Sequence, residues 1–171
     1  MVVADATVLI VLAKMGRLHL LRETCQEVLI GPVVRNEVVD QGKAVGAAEV
    51  VQVEKAMTDG WIGIVRLTPK ERKSMETLLH TSRLDDGEAE SLAIARSHRC
   101  MVVIDDKEGR ALAAAMGIEH MGTAGILLEA YANGRLRIDE LEDTLRELSG
   151  VLWLSPAVVV EILRKARGMR K

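Results

Sequence analysis

Short apolar runs alternate with longer segments of helical periodicity along most of this chain. Runs rich in apolar residues at positions 2–4, 27–30, 61–65, 100–104 and 118–121 predict five strands, and the run at 100–104 is apolar throughout, as in a strand covered on both faces. Helices are predicted between them, at residues 7–15, 18–23, 32–41, 45–57, from 68, after 87, at 107–116 and at 123–131. This alternation predicts a three-layer α/β domain with a central parallel sheet.

The C-terminal part follows a different pattern, because helical periodicity continues there without further strand and helix alternation. Residues 138–148 and 156–167 predict two helices around an extended piece at 151–154. We therefore expect a main domain over residues 1–134 and a helical C-terminal extension over residues 135–171, packed on the same domain. A length of 171 residues suits one domain with a substantial core.

Acidic residues follow two of the predicted strands directly. Asp5 comes after the first strand, and Asp105 and Asp106 come after the strand at 100–104. Open α/β sheets bind their ligands at the carboxyl ends of the strands. The two parallel strands therefore predict a group of carboxylates at one edge of the sheet, suited to a hard cation.

Helical spacing indicates further candidate acids. Glu37 lies on the flank of the apolar stripe of its helix, facing inward or along a cleft rim. In the helix after Gly87, Glu88 lies about 40° from Leu92 on a helical projection, whereas Glu90 points nearly the opposite way. Glu88 is therefore the better candidate for a cleft, and Glu90 is expected to be a solvated surface acid.

The five candidate acids come from four predicted elements, and their convergence would require a cation to offset like charges. Carboxylate oxygens favour magnesium or manganese over zinc. Such ions lower the pKa of a bound water and stabilise both oxygens of an in-line phosphoryl displacement. Hydrolysis of a phosphodiester is the reaction that this set suits: Asp5, Glu37, Glu88, Asp105 and Asp106.

The same acids also have a purely structural interpretation. Asp85 and Glu88 have the spacing of a capping box, and Asp105 or Asp106 suits the start of the next helix. The negative charge of Asp5 would also be stabilised by the nearby N-terminus of a helix, without any role in a site. Spacing alone leaves both interpretations open.

Four segments of the chain resemble the PIN-domain nucleases, and most closely a VapC-like prokaryotic branch. They are VVADATVLIVLAKMG, GPVVRNEVV, DDGEAESLAIARSHRCMVVIDDKEGRALAAAMGI and MGTAGILLEAYANG, which cover most of residues 1–134. Each segment is moderately specific, and their succession in this order is the stronger signal.

The resemblance implies a parallel sheet with an acidic metal pocket, and Mg²⁺- or Mn²⁺-dependent cleavage of single-stranded RNA. Asp5, Glu37 and Glu88 match the first three acids of the family, and either Asp105 or Asp106 matches the last. Many relatives have Ser or Thr two residues before that last acid, where this chain has Ile104 if Asp106 is the ligand, so the choice stays open. Thr7 matches a hydroxyl residue that would hold Asp5 or a metal-bound water. A homodimer and a small antitoxin partner are also implied.

Composition says more about the location and the partners of the protein than about its chemistry. A net charge of −2 and a pI near 6.1 argue against a strongly basic coat, and 2% aromatic residues leave few side chains to stack on bases. Two cysteines and an apolar start that carries Asp5 favour a cytoplasmic protein without a signal peptide or membrane span. The basic tail at residues 164–171 suits RNA phosphates or a solvated helix end equally.

The sequence therefore predicts a cytoplasmic, metal-dependent endoribonuclease, the toxin of a toxin–antitoxin pair. One alternative is a PIN-like module that binds RNA or protein and cleaves weakly. Another is a phosphoaspartate protein, either a haloacid-dehalogenase-like phosphatase or a receiver domain. The former requires an acid two residues after its nucleophile, where Thr7 stands, and the latter requires its acidic pair after the first strand.

Overall fold

A single parallel sheet of five strands forms the centre of the computed structural model, which describes residues 1–169. The strands are β1 Val2–Ala4, β2 Val28–Ile30, β3 Ile62–Ile64, β4 Met101–Val103 and β5 His120–Met121. Their order in the sheet is β3-β2-β1-β4-β5, and all neighbouring pairs are parallel. Because β1 pairs with both β2 and β4, the acid that follows it lies near the middle of the carboxyl edge.

Helices connect the strands and follow the last one. They are α1 Ala6–Lys14, α2 Leu18–Cys25, α3 Pro32–Arg35, α4 Gly42–Ala44, α5 Val50–Thr58, α6 Pro69–Thr81, α7 Asp86–His98, α8 Lys107–Ala115, α9 Thr123–Ala132, α10 Ile138–Val151 and α11 Pro156–Met169. Residues Asn36–Gln41 between α3 and α4 form a π-helical segment.

Two hydrophobic clusters cover the two faces of the sheet, as the alternation of side chains along the strands requires. In β1, Val2 and Ala4 belong to one cluster and Val3 belongs to the other. In β4, Val102 lies in the same cluster as Val3, and Val103 lies in the opposite one. Strands β1 and β4 are therefore covered on both faces, and the parallel sheet between helices confirms the predicted three-layer α/β fold.

The bounds of several predicted elements differ from the observed ones, including the strand expected at 118–121, which spans only His120–Met121. The helix expected at 45–57 begins only at Val50, because Gly46 adopts a left-handed conformation with φ of +70° and ends the preceding helical stretch. The extended piece expected at 151–154 is shorter, since α10 continues to Val151. The two helix differences lie outside the sheet edge that carries the acids.

The C-terminal helices α10 and α11 pack against α9 and share its core. Leu141, Leu145 and Leu148 of α10 are fully buried, and Ile162 and Ala166 of α11 are buried in the same cluster. The division of the chain at residue 134 stays a prediction. Arg170 and Lys171, the end of the predicted basic tail, lie outside the described residues.

Candidate active site

Asp5 stands at the carboxyl end of β1, where it is both the N-cap of α1 and a buried acid. Its carboxylate accepts a hydrogen bond from the backbone N–H of Thr7, with 3.4 Å between N and Oδ2. Only 3% of Asp5 is exposed. Burial raises the pKa of Asp5 to about 7, and repulsion from Asp85 and Glu37 adds to this effect.

The N-terminus of α7 carries two more acids in a capping box. The backbone N–H of Glu88 donates to Asp85 Oδ1 at 2.8 Å, and the N–H of Asp85 donates to Glu88 Oε2 at 3.0 Å. The structural interpretation of this spacing is therefore confirmed. The pKa of Glu88 is nevertheless raised to about 7, by burial first and then by repulsion from Asp85, Asp106 and Asp5.

Glu37 lies in the π-helical segment and reaches toward the first turn of α7. A Cβ at Gly87 would lie 3.0 Å from Glu37 Oε2 and 3.1 Å from Oε1, so glycine gives this carboxylate its place. Burial raises the pKa of Glu37, and repulsion from Asp85 is the next largest cause. The half-buried position agrees with the cleft rim expected from the sequence.

The adjacent residues Asp105 and Asp106 have different surroundings. The carboxylate of Asp105 accepts hydrogen bonds from the N–H and the hydroxyl of Thr123, at 2.8 Å and 2.6 Å. Asp106 caps α8 through a bond from the N–H of Gly109 at 2.7 Å, and its charge acts on Glu88. Asp106 therefore faces the other acids, whereas Asp105 holds the start of α9.

One group of carboxylates lies around the ends of β1 and β4 and the start of α7, and we call it the acidic pocket. It comprises Asp5, Glu37, Asp85, Glu88 and Asp106. Asp85 is the member that sequence reasoning assigned only to a helix cap, although it raises the pKa of three of the others. Its place at the N-terminus of a helix beside Glu88 was the available signal, because an N-cap side chain projects from the end of the helix.

The prediction for Glu90 was wrong. Glu90 is completely buried, and its carboxylate accepts hydrogen bonds from the N–H groups of Val33 and Val34 at 3.0 to 3.1 Å. The contact is so close that a Cβ at Gly31 would lie 2.1 Å from Glu90 Cδ. The helical projection failed here because α3 covers the side of α7 that the projection left to solvent.

The donor chemistry of the acidic pocket fits a hard divalent cation. All five side chains offer carboxylate oxygens, and burial together with like-charge repulsion raises three of their pKa values, a penalty that a bound cation would offset. Among residues 1–169, no group of three Asp, Glu, His or Cys side chains is already arranged so that it could hold a metal ion. Binding would therefore draw Glu88 away from its capping bond with Asp85.

Other predicted contributors take part less directly. The side chain of Thr7 is exposed beside Asp5, and only its backbone N–H bonds to that acid. Lys14 and Arg35 lie near the first two acids in sequence, where either could reach a phosphate, but Lys14 pairs with Glu49 at 3.5 Å and Arg35 pairs with Asp40. In the tail, Lys165 pairs with Glu161 and Arg167 with Glu142.

Fold and site together define the class of protein: an α/β domain whose parallel sheet presents an acidic pocket at its carboxyl edge. The model of a PIN-domain family matches residues 1–168 of the chain. The chain therefore belongs to the PIN-domain family, whose members are generally nucleases that act on nucleic acids with divalent metal ions. No curated protein matches the chain.

The helices were also assessed for the ability to span a membrane. Within residues 1–169, none of the helices combines the length and the apolar character that crossing a bilayer requires.

Proposed function

We propose that this protein is a metal-dependent endoribonuclease that cleaves phosphodiester bonds of single-stranded RNA. The observation that carries the proposal is the acidic pocket, where carboxylates from four parts of the chain meet at the sheet edge. Asp5 follows β1, Glu37 lies after α3, Glu88 lies in α7, and Asp106 follows β4. Structural caps alone do not require such a convergence of like charges.

Asp5, Glu88 and Asp106 would hold Mg²⁺ or Mn²⁺, and Glu37 and Asp85 are the remaining carboxylates of the acidic pocket. The ion, when bound, lowers the pKa of a coordinated water and neutralises charge on the phosphoryl oxygens. A bound cation would also keep Glu88 ionised, because its positive charge opposes the burial and the repulsion that raise the pKa of this carboxyl to about 7. Asp105 belongs to the structural support of the site, because Thr123 engages both of its oxygens.

The alternative function, a PIN-like RNA- or protein-binding module with weak cleavage, is favoured by one observation. The carboxylate of Glu88 accepts a hydrogen bond from the N–H of Asp85 in the capping box, so metal binding to Glu88 must compete with that bond. A module of this kind would bind RNA or a protein partner and hold metal weakly.

The test is cleavage of a mixed pool of single-stranded RNA with Mn²⁺, with Mg²⁺ and with EDTA. Wild type is compared with Asp5→Asn and Glu88→Gln, and with Glu147→Gln, an exposed acid of α10, as the matched control. Metal-dependent cutting that the first two substitutions abolish and the third preserves supports the nuclease. RNA binding without cutting in any metal supports the module, and cutting that survives all substitutions contradicts the site.

We also propose that the protein is the toxin of a toxin–antitoxin pair, acts in the cytoplasm as a homodimer, and is inhibited by a small antitoxin. These proposals are supported by the resemblance to VapC-like proteins. Induced expression of wild type, but not of Asp5→Asn, should arrest bacterial growth, and sedimentation should give twice the monomer mass. Unimpeded growth with active enzyme in the cell would contradict the toxin role.

A further inference from the structure

A second cavity lies beside the acidic pocket, at the same edge of the sheet. Its volume is about 450 Å³, and its lining includes Val33 at the start of α3, and Arg66 and Leu67 after β3. The acidic pocket lies at the ends of β1 and β4, and this cavity lies at the ends of β2 and β3. Two strand spacings, about 10 Å, therefore separate them. We call this cavity the lateral pocket.

The two pockets also share structural elements. Val33, which lines the lateral pocket, and Glu37, which belongs to the acidic pocket, are four residues apart in one continuous helical stretch. Four residues correspond to about one helical turn. Glu90 lies between the pockets, because it lines the lateral pocket and also raises the pKa of Glu37.

The lateral pocket combines apolar side chains with two arginines, and Glu76 and Glu90 also line it. Leu67, Met75 and Leu79 contribute apolar surface, and Arg66 and Arg72 contribute guanidinium groups. Within the described part of the chain, neither arginine makes an ion pair or a hydrogen bond through its side chain. Arginines without partners beside an apolar cavity suit a ligand that has both a flat face and a negative charge.

We propose that the lateral pocket binds one nucleotide of the RNA, next to the phosphodiester held at the acidic pocket. The base would pack against Leu67, Met75 and Leu79, and the phosphate would bind Arg66 and Arg72. A volume of about 450 Å³ lies within the range of small-molecule sites, and arginine planes stack on unpaired bases. This inference rests on the proposed function, and it locates base preference in a protein with few aromatic side chains.

A larger groove provides the matched control. It has a volume of about 610 Å³, and its lining includes Lys70, Lys73, Arg96 and Arg99. It lies toward the C-terminal ends of α7 and α8, away from the acidic residues at the other end of α7. If RNA responds only to diffuse positive charge, cations of either cavity should contribute equally.

The binding experiment follows the anisotropy of a labelled mixed-sequence single-stranded RNA in EDTA, so that no cleavage is needed. The double variant Arg66→Gln/Arg72→Gln is compared with Lys73→Gln/Arg96→Gln, which removes the same charge from the groove. We expect the first to bind about tenfold more weakly, with a slope of log K against log salt reduced by about 0.7, because both arginines would neutralise the same phosphate. The second should bind like wild type.

The cleavage experiment uses the same variants with Mn²⁺ and adds Met75→Trp, which fills the lateral pocket. Loss of the arginines should raise KM and leave kcat nearly unchanged, and Met75→Trp should change the base preference beside the cleavage site. Circular dichroism and urea midpoints identify any variant that has lost its fold, and the remaining variants then decide the question.

The outcomes separate this inference from the function on which it rests. If both double variants weaken RNA binding equally, or if neither weakens it, the lateral pocket is not a nucleotide site, whereas wild-type cleavage would still support the nuclease. Wild-type base preference in a folded Met75→Trp overturns the nucleotide site as well. Wild type that neither binds nor cleaves RNA contradicts the proposed function itself.

Discussion

Glu88 and Glu90 are two residues apart in α7, but their carboxylates lie in opposite environments. Glu88 belongs to the acidic pocket, where Asp85, Asp106 and Asp5 repel its charge. Glu90 belongs to the junction between α7 and α3, where two backbone N–H groups donate to its carboxylate. Burial raises the pKa of both side chains, and at Glu90 the hydrogen bonds oppose that effect.

The comparison shows that burial alone does not distinguish a functional acid from a structural one. Glu90 is the more buried of the two, but its oxygens have the donors that a buried carboxylate needs. Glu88 has one backbone donor and several negative neighbours, so it lacks an equivalent compensation. The predictions below test whether the acidic pocket serves activity and the junction serves stability.

The largest expected effect concerns activity and comes from Asp5→Asn. Losing a carboxylate at the base of the acidic pocket should lower kcat/KM by about a thousandfold, or 4 kcal/mol of transition-state stabilisation. The free energy of unfolding without metal should rise at pH 8, because a buried charge among like charges is removed. RNA cleavage assays and urea unfolding measure the two quantities. Lower stability at pH 8 would contradict the electrostatic interpretation.

The junction should show the reverse pattern in Glu90→Ala. The N–H groups of Val33 and Val34 lose their acceptor in a buried place, which should lower the free energy of unfolding by about 3 kcal/mol. Glu90→Gln keeps one acceptor oxygen and should lose less. Urea unfolding gives both values, and equal losses in the two variants would show that the hydrogen bonds are not the cause.

Asp105 and Asp106 form a second matched pair with smaller expected effects. Asp106→Asn should lower cleavage about a hundredfold and leave stability nearly unchanged, because Asn is an equally good N-cap. Asp105→Asn should lower the free energy of unfolding by about 1 kcal/mol, since Thr123 loses part of its partner, with cleavage retained. The same two assays apply, and exchanged effects would assign the ligand role to Asp105.

The last prediction concerns the pH dependence of stability. Because the folded pKa values of Asp5 and Glu88 are about 7, above the values of unfolded acids, these groups bind more protons in the folded state between pH 4 and pH 7. Their contribution to stability is present at low pH and is lost as pH rises through 7. Without metal, wild type should therefore lose more stability than Asp5→Asn between pH 5 and pH 8, and Mn²⁺ should reduce that loss. Parallel pH profiles for the two proteins would contradict the shift.

Sequence patterns predicted the sheet well, because its central strands are short apolar runs whose faces are both covered. They also predicted that Asp5 and Asp106 lie at the carboxyl edge of the sheet, since parallel strands end on the same side. They were less successful within helices. The projection of α7 treated one side as solvent, although α3 covers it and buries Glu90.

The sequence by itself determined the class of fold, the family and the acids at the strand ends, because these depend on periodicity and on order along the chain. Only the tertiary structure decided which acids share the pocket. In that structure Asp105 binds Thr123, whereas Asp106 and Asp85 lie close enough to Glu88 to raise its pKa. The reason is physical: the partner of a carboxylate is set by contacts between elements that are distant in sequence, and local spacing carries no record of them.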